Sequence, residues 1–227
     1  MADTKEQILD AAESLFAEHG IEAVPLRRII AEAGVNSAAI HYHFGSKEAL
    51  VRAVFARRFD PLNRERIALL DAAEARAAGR PVPIEDLVYA VVAPPFRLGR
   101  GTRSESRFRC LAGRIFTERP GYMDAIFTEL FRELEMRFDA AFRRALPHLS
   151  EKARAWRKHM AVGAMVFVLR EQEWIRQATG GLCDTADVEG AIRHLVQFMT
   201  AGMTAPPLEE DDAPMLVVSK SEGEGDS

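Results

Sequence analysis

A short stretch near the N-terminus combines small and polar side chains in an order that suits contact with the bases of DNA. From Gly34 to Phe44 the chain reads GVNSAAIHYHF. Small residues let a helix approach the base edges in the major groove, where a hydroxyl or an imidazole can hydrogen-bond and an alanine methyl can contact thymine. The residues predicted to face the bases are Ser37, Ala38, Ala39 and His41.

Two basic residues ahead of this stretch, Arg27 and Arg28, suit contact with the phosphate backbone. The whole chain has a formal net charge of −4, but residues 207–227 carry seven acids and one lysine, a balance of −6, so the rest sums to +2. From Asn36 to Arg58 four cations stand against Glu48, a local balance of +3. Because phosphate neutralisation is local, the sequence predicts a basic reading surface in an acidic protein.

Helical spacing predicts two helices ahead of the reading stretch. Apolar residues recur at intervals of three and four over residues 4–19. Pro25 suits the first position of the second helix, because a missing N–H costs nothing there. The same spacing marks a buried face of that second helix, made of Leu26, Ile29, Ile30 and Ala33.

Residues that favour turns and caps predict where the reading helix begins and ends. Gly34 can take the left-handed conformation that ends a helix, and Asn36 can cap the next one, over residues 37–43. A longer helix follows from Ser46 to about residue 59, and the pair Asp60-Pro61 predicts a break or a kink after it. Two short helices joined by a tight turn make a helix-turn-helix.

The pattern AGV-N-x-A-A-I-x-Y-H-F-x-S-K-E-A-L, from Ala33 to Leu50, resembles the DNA-binding signature of the tetracycline-repressor (TetR) family. The resemblance extends over about residues 4–59. It implies a helix-turn-helix in which Tyr42 and Lys47 contact the DNA backbone.

Two positions depart from the family pattern. His41 stands where the family commonly has a tyrosine, so this position is more polar and more sensitive to pH. Val24 stands where family members have a Thr or Ser that caps the helix and touches phosphate. Either that cap is lost, at a cost of about 1 kcal/mol, or Pro25 compensates by forming the turn in advance. We expect this helix-turn-helix to recognise a different DNA sequence from those of the family's best-known members.

The residues after 60 predict a second, larger domain that is also helical, since no stretch alternates as a strand does. Its predicted helices span residues 62–78, 84–93, 104–117, 122–146, 150–179 and 186–203, with Pro94-Pro95 ending the second of them. The fold class is therefore all-α. A three-helix helix-turn-helix domain covers 1–59, a helical ligand-binding and dimerisation domain covers 60–206, and the acidic segment 207–227 is expected to be disordered.

Large apolar residues of the second domain are, one by one, more often core than ligand contacts, but the resemblance implies an effector site. The segments PHLS…WRKHMAVGAMVF and HLVQFMTAGM are similar to those of fatty-acid-responsive, PsrA-type family members, which implies a small apolar effector such as a fatty acid or an acyl-CoA. Arg109, Arg114 or Arg170 could meet its acidic group. The predicted ligand-binding residues are Phe96, Phe108, Arg109, Phe127, Phe131, Met165, Phe167 and Trp174.

The last two predicted helices, about 150–179 and 186–203, carry apolar stripes interrupted by small residues. These are Gly163, Ala164, Ala191 and Gly202. Small residues permit close helix packing, and the resemblance implies that these two helices form a four-helix interface with a second subunit. We expect a homodimer that places two reading heads on a palindromic operator.

Other functions lack the residues they need. His41 and His43 are two positions apart on a helix and point to different faces, so they predict no metal site. No Gly-rich phosphate loop, nucleophile elbow or CxxC pair is present, so we expect neither an enzyme nor a cofactor. The polar N-terminus, two widely separated cysteines and the lack of an apolar run of about 20 residues predict a cytoplasmic protein with no membrane partner.

The sequence therefore predicts a homodimeric, ligand-responsive transcriptional regulator, in the first place a repressor. It binds a palindromic operator and is released by a small apolar effector. The alternative is a sensor or carrier of an apolar ligand whose N-terminal head binds protein rather than DNA.

Overall fold

The computed structural model describes residues 4–98, 111 and 121–207. The helices of this part are α1 Thr4–His19, α2 Leu26–Ala33, α3 Ser37–His43, α4 Lys47–Ala77, α5 Ile84–Arg97, α6 Met123–Ala145, α7 Glu151–Arg170, α8 Gln172–Ala178 and α9 Val188–Thr204. No strand occurs among the described residues, which confirms the all-α prediction. The predicted helix over 104–117, except for Leu111, and the segment 208–227 lie outside the described residues.

One apolar core holds α1, α2, α3 and the first part of α4 together, and we call this unit the head. The stripe predicted on α1 is buried in this core, where Ile8 and Phe16 have no exposed surface. Ile29 from α2 and Ile40 from α3 join them. Burial of side chains of this size contributes about 1.5–3 kcal/mol each, so packing holds these short helices more than helix propensity does.

The sequence predicts a break or a kink at Asp60-Pro61, and the break is wrong, because α4 is one helix of 31 residues. Pro61 lacks the N–H that would reach the carbonyl of Arg57, a loss that usually ends or kinks a helix. Here the two halves are packed on both sides of the proline, with Phe55 buried in the head core and Leu70 in the core of the body. The helix is about 45 Å long. The domain boundary predicted between residues 59 and 60 falls inside it and stays a prediction.

Pro94 and Pro95 lie inside α5, so the predicted interruption of this helix is also wrong. Pro95 has no N–H to offer to the carbonyl of Val91 one turn earlier. The Nε of Arg66, on α4, donates to that carbonyl at 3.1 Å. A side chain from another helix thus replaces the missing backbone donor, and nothing in the sequence of α5 reveals this.

The predicted helix over 150–179 is divided into α7 and α8. The division lies at Glu171, whose backbone (φ −98°, ψ 28°) departs from helical geometry. No residue there is a helix breaker, so the sequence does not foretell it. Ser150 caps α7, since its Oγ accepts the N–H of Ala153 at 3.2 Å.

The last helix, α9, begins two residues later than its predicted start at Ala186. Asp184 closes a turn ahead of the helix, because its Oδ1 accepts the N–H of Ala186 at 2.8 Å. Asp187 caps α9, since its Oδ1 accepts the N–H of Gly190 at 2.8 Å. Either aspartate has the chemistry of a cap, and the surrounding packing decides between them.

The start of α6 packs into the head. Met123 has no exposed surface, and Ile126 is also buried in the head core. Four phenylalanine rings from α4 and α6 pack together where these two helices meet, with centroids 5.0–6.1 Å apart. We call them the aromatic cluster, and they are Phe55, Phe59, Phe127 and Phe131. Head and body are therefore joined through two packed helices.

Candidate nucleic-acid interface and effector region

The turn between α2 and α3 has the geometry that its residues predict. Gly34 ends α2 in the left-handed conformation (φ 66°) and donates its N–H to the carbonyls of Ile30 and Ala31. The Oδ1 of Asn36 accepts the N–H of Ala39 at 2.9 Å and so caps α3. A left-handed residue followed by a capped N-terminus fixes the angle between the two helices.

α2 begins after Val24 and Pro25 without the Thr or Ser hydroxyl that would cap it. Val24 has no exposed surface and belongs to the head core. Pro25 occupies the cap position rather than the first helical position that the sequence predicts, and no side chain caps α2. Its backbone is extended (ψ 152°), and its carbonyl accepts the N–H of Arg28 at 3.0 Å. The side-chain cap is therefore lost, and the turn that Pro25 forms takes its place.

α3 presents its predicted base contacts on the outside of the head. Ser37, Ala38 and His41 are exposed, and Ala39 is half-buried. On the opposite face Ile40 is only 2% exposed and anchors the helix. The sequence prediction of which face is outward agrees with this placement, while contact with bases stays a prediction.

Aromatic residues close the end of α3. Tyr42 is 87% exposed, so its ring is free to meet a ligand. The ring of His43 is half-buried and stands edge-on to Tyr42 at 5.2 Å, with Phe44 on its other side at 6.1 Å. This placement favours a structural role for His43 over a contact with DNA.

The three predicted cationic phosphate contacts differ in how they are held. Arg27 is exposed and has no hydrogen bond or ion pair with any residue that the structure describes. Arg28 is exposed, with its Nη2 2.6 Å from the Nε2 of His19. The Nζ of Lys47 donates to the carbonyl of Glu22 at 3.3 Å. Among the described residues, none of the three forms an ion pair with a carboxylate, so each keeps its charge for an outside anion.

The local charge of +3 predicted for the reading surface is too high. Three of the four cations counted there are paired with acids from outside the counted stretch. Arg52 donates from its Nε to the Oε2 of Glu129, on α6, at 2.9 Å. Arg57 and Arg58 both donate to Glu13, on α1, at 2.7 Å. Only Lys47 among the four is left for phosphate.

Glu13 is a buried carboxylate that the sequence analysis does not single out. It is 2% exposed, and it receives both arginines named above. Burial by itself raises the pKa of Glu13, but hydrogen bonds and charge attraction from Arg58 and Arg57 outweigh it and hold the pKa below its usual value. The signal available in the sequence is a glutamate on the apolar face of α1, next to Ala12.

A chain of contacts links the start of α4 to the body. Glu22 accepts Lys47 at its carbonyl, and its carboxylate accepts the hydroxyl of Tyr122, just ahead of α6, at 3.3 Å. Burial and the nearby charge of Glu22 raise the pKa of Tyr122 to about 12. Tyr122 therefore stays a neutral donor, and a candidate phosphate contact is tied to a helix of the body.

The predicted ligand-binding residues do not form one group. Phe96 and Met165 are buried in the core of the body. Phe127 and Phe131 are half-buried and belong to the aromatic cluster. Phe108 and Arg109 lie outside the described residues, as does the alternative Arg114. The other alternative, Arg170, is exposed and pairs with Glu171 at 3.0 Å.

Phe167 and Trp174 lie on the outside of the subunit, 49% and 58% exposed, with their rings edge-to-face at 6.0 Å. This placement does not fit the lining of an enclosed cavity. Further large apolar side chains are exposed on α7 and α9, and together with these two we call them the outer apolar face: Trp156, Met160, Phe167, Trp174 and Phe198.

A cleft of about 270 Å³ lies in the body, and none of the predicted ligand-binding residues lines it. Its walls include Asp139, Arg154 and Lys158 as well as Phe142. Lys158 is already paired with Glu135 at 2.5 Å. Opposite charges are mixed in this cleft, so its chemistry does not select one class of ligand.

Arg66 is the functional candidate that the sequence analysis misses. It is 5% exposed and lies between α4, α5 and α6. Its Nη1 donates to the Oδ1 of Asn63 at 3.2 Å, and Asn63 in turn donates to the carbonyl of Leu130 at 3.0 Å. Burial lowers the pKa of Arg66 to about 10. The available signal is its spacing of four residues from both Leu62 and Leu70, on the apolar face of α4.

Within the described residues, no group of three or more His, Cys, Asp or Glu side chains could hold a metal ion. No helix there is both long enough and apolar enough to span a membrane.

Two family profiles match the chain. The profile described as "Bacterial regulatory proteins, tetR family" matches residues 8–54, which cover α1 to the start of α4. The profile described as "Tetracyclin repressor-like, C-terminal domain" matches residues 89–202, or 114 of 227 residues.

Individual relatives agree with the profiles. The HTH-type transcriptional repressor BepR of Brucella suis biovar 1 (strain 1330) is 30% identical over 138 residues, 61% of each chain, so less than two-thirds of BepR is spanned. The HTH-type transcriptional regulator BetI of the same organism is 26% identical over 207 residues, 91% of this chain and 95% of BetI. The solved SmeT–triclosan complex has the same fold, with a TM-score of 0.59, 23% identity, and 93% and 99% of the two chains covered. SmeT is described as the repressor of a Stenotrophomonas maltophilia multidrug efflux pump.

Proposed function

The chain belongs to the TetR family of bacterial transcriptional regulators, and we propose that it is a homodimeric repressor that binds a palindromic operator and is released by a small apolar effector. As a member of this family it is a DNA-binding regulator and not an enzyme. The effector, the palindrome and the dimer interface are the proposed parts.

One observation carries the DNA-binding mode, namely the exposed N-terminal end of α3. Ser37 and Ala38 lie at the surface, while Ile40 anchors the opposite face. Small side chains at this end let the backbone come close to base edges. Arg27, on α2, and Lys47, at the start of α4, flank it with charges that no described carboxylate engages, which supports contact with the phosphates on both sides.

A selection from a random pool of duplex DNA tests this function. We expect the full-length protein to enrich a palindrome, and its affinity in fluorescence anisotropy to fall steeply as salt rises, because phosphate contacts release counterions. Binding without an enriched sequence, or without salt dependence, would contradict it. That result would favour the alternative of a protein-binding head on a ligand sensor, which no observation otherwise supports.

The outer apolar face supports a dimer through α7, α8 and α9. Trp156, Met160 and Phe167 recur at intervals of four and seven residues on α7, and Phe198 on α9 is 68% exposed. Exposed apolar surface of this extent marks an interaction site. The space beside Gly163 and Gly202 is open within the subunit, which leaves room for the helices of a partner to approach. This agrees with the interface predicted over 150–179 and 186–203.

Continuity of α4 supports a mechanism of release. The helix begins at Lys47 beside the reading head and ends at Ala77 in the body. An effector that moves the body end relative to α6 therefore moves the head, and the two heads of a dimer lose their spacing on successive major grooves. The effector must bind the DNA-incompetent state more tightly, since otherwise it shifts nothing. Equal operator affinity with and without a bound effector would overturn this mechanism.

The apolar effector rests on two supports. The residues that resemble fatty-acid-responsive members suggest a fatty acid or an acyl-CoA, and the half-buried Phe127 and Phe131 offer an aromatic surface between α4 and α6. Native mass spectrometry of the purified protein tests this, because a co-purifying ligand gives its mass directly. We expect the mass of a fatty acid or an acyl-CoA. The mass of a polar or aromatic drug-like compound would contradict this effector class.

A further inference from the structure

The body contains a buried positive charge without a carboxylate partner. Arg66 is 5% exposed, and it makes no ion pair within the described residues. The neighbouring acid Glu65 is exposed and attracts it only at a distance. Charged groups in protein interiors are ordinarily paired, because their burial is costly.

The hydrogen bonds of Arg66 explain why a donor lies at this position, but they do not explain its positive charge. The carbonyl of Val91 lacks a helical donor because Pro95 has no N–H, and the Nε of Arg66 supplies one at 3.1 Å. A neutral amide such as glutamine offers the same donor. The second hydrogen bond, from Nη1 to Asn63, is also to a neutral group. Among the described residues, the positive charge itself therefore has no anionic partner.

The charge persists under physiological conditions. Burial lowers the pKa of Arg66 to about 10, which still lies well above neutral pH, so the guanidinium remains protonated. A buried ionisable group with a strongly perturbed pKa is typical of a ligand site as well as of structural networks. Within the part of the chain that the structure describes, the network of Arg66 contains no anion, and this favours the ligand site.

Apolar surface lies next to this charge. Phe59 is seven residues before Arg66, on the same face of α4 and about 10 Å away along the helix axis. The ring of Phe59 stands against Phe131 of α6 at 5.0 Å. Asn63 lies between Phe59 and Arg66 along the helix and holds the carbonyl of Leu130. Phe59 and Asn63 thus contact α6, Arg66 contacts α5, and the hydrogen bond from Arg66 to Asn63 links the charge to the aromatic surface.

We propose that Arg66 is the anion-recognition residue of the effector site, where it pairs with the carboxylate of an amphipathic acid whose hydrocarbon chain packs against Phe59 and Phe131. The proposal rests on the proposed function for the existence of an effector, and it replaces Arg109, Arg114 and Arg170 as the counterion. A guanidinium presents a planar pair of donors that matches a carboxylate. Because Arg66 stands on α4, a bound acid acts directly on the helix that carries the head.

Isothermal titration of the full-length protein with decanoate and with decanol tests this pairing. The two probes share a chain length and differ in charge. We expect decanoate to bind at least about tenfold more tightly, since hydrogen bonds to charged groups are the stronger class. Equal affinity for the two probes, or no binding of decanoate, would overturn the proposal.

Variants at two positions assign the preference to Arg66. Arg66→Gln keeps a donor for Val91 and removes the charge, so it should equalise the two affinities and leave decanol binding unchanged. Asn63→Asp places a carboxylate beside the guanidinium and should also remove the preference, which keeps the test decisive if Arg66→Gln does not fold. Arg64→Gln, at an exposed position on the same helix, is the matched control and should retain the preference. A preference that survives both Arg66→Gln and Asn63→Asp would show that Arg66 is structural only.

Operator binding, measured separately by anisotropy, distinguishes this proposal from the regulatory function. If the protein binds its selected DNA and decanoate shows no advantage, the anion site fails and the regulatory function stands. If the decanoate preference depends on Arg66 and no DNA is selected, the site stands and the regulatory function fails.

Discussion

Glu13 and Arg58 meet across the contact between α1 and α4, with the Oε1 of Glu13 2.7 Å from the Nη2 of Arg58. The other carboxylate oxygen lies 2.7 Å from the Nη2 of Arg57. Glu13 is 2% exposed, so one buried carboxylate binds two cations of the connecting helix. This arrangement fixes the head to α4, and a movement of α4 is passed to α1 as well as to the reading helix.

Replacement of Glu13 by glutamine should destabilise the protein strongly. The change leaves two arginines without their shared anion, and breaking a buried pair from one side costs about 3–5 kcal/mol. Urea unfolding at a fixed protein concentration measures it. Glu18→Gln, at an exposed position near the end of the same helix, is the control and should stay within about 0.5 kcal/mol of the unmodified chain. If Glu13→Gln lowers the free energy of unfolding by a similarly small amount, Glu13 and its two arginines are surrounded by water rather than buried.

The contribution of Glu13 should depend on pH in one direction. Its pKa in the folded protein lies below the ordinary value of 4.5, so the unfolded chain takes up its proton first as pH falls. The stabilisation is fully present above the unfolded pKa and is lost as pH falls through the lower folded pKa. The difference in unfolding free energy between the unmodified chain and Glu13→Gln should therefore be constant near neutrality and narrow below pH 4.5. A difference that grows on acidification would contradict the direction of the shift.

The bond from Arg66 to Val91 should be measurable as a coupling with Pro95. Arg66→Ala removes the donor that serves this carbonyl, whereas Pro95→Ala restores a backbone N–H to it. In a double-mutant cycle of unfolding free energies, we expect Arg66→Ala to cost about 1 kcal/mol less when Pro95 is already alanine. Additive effects would mean that the carbonyl finds another donor, such as water.

Phosphate and base contacts should separate in DNA binding. Arg27→Ala and Lys47→Ala should each weaken binding to all sequences alike and lower the salt slope of the binding constant by about one. Changes at Ser37 or His41 should instead alter which sequence is preferred. Arg64→Ala removes an exposed cation of α4 far from the reading head and serves as the control. If Arg64→Ala lowers the salt slope as much as Arg27→Ala, the reading surface is not where we place it.

The outer apolar face should control the oligomeric state. Phe198→Asp puts a charge on a side chain that is 68% exposed in the single subunit, and it should dissociate the dimer in analytical ultracentrifugation. Met136→Asp is the matched control, because Met136 is 63% exposed but lies on α6, outside this face. A dimer that survives the first change and dissociates with the second would move the interface to α6.

Local signals in the sequence correctly predicted the turn and the helix caps of the helix-turn-helix. Gly34, Asn36 and Ser46 act through their own backbone neighbours, so their roles as helix end and caps are legible without the rest of the fold. The apolar stripe of α1 can likewise be recognised from the sequence, because its residues recur with the period of a helix that is buried on one side. These features need no partner that is distant in the chain.

Residues whose role depends on a distant partner were not predictable in this way. Pro61 and Pro95 read as breaks, and the packing around α4 and the donor from Arg66 reverse that expectation. Arg57 and Arg58 count as free charge until α1 brings Glu13 beside them. The described members of the predicted ligand-binding set are scattered for the same reason, since aromatic residues look alike in sequence whether they end in the core, in the aromatic cluster or on the outer apolar face.

The engagement of Arg52, Arg57 and Arg58 by the protein's own acids limits how strongly the head holds DNA of arbitrary sequence. Affinity for arbitrary sequence comes almost entirely from phosphates, and few cations in each subunit are left to meet them. The chromosome at large therefore competes weakly for this regulator. Under the proposed function, fewer copies per cell are therefore needed to keep a single control site filled.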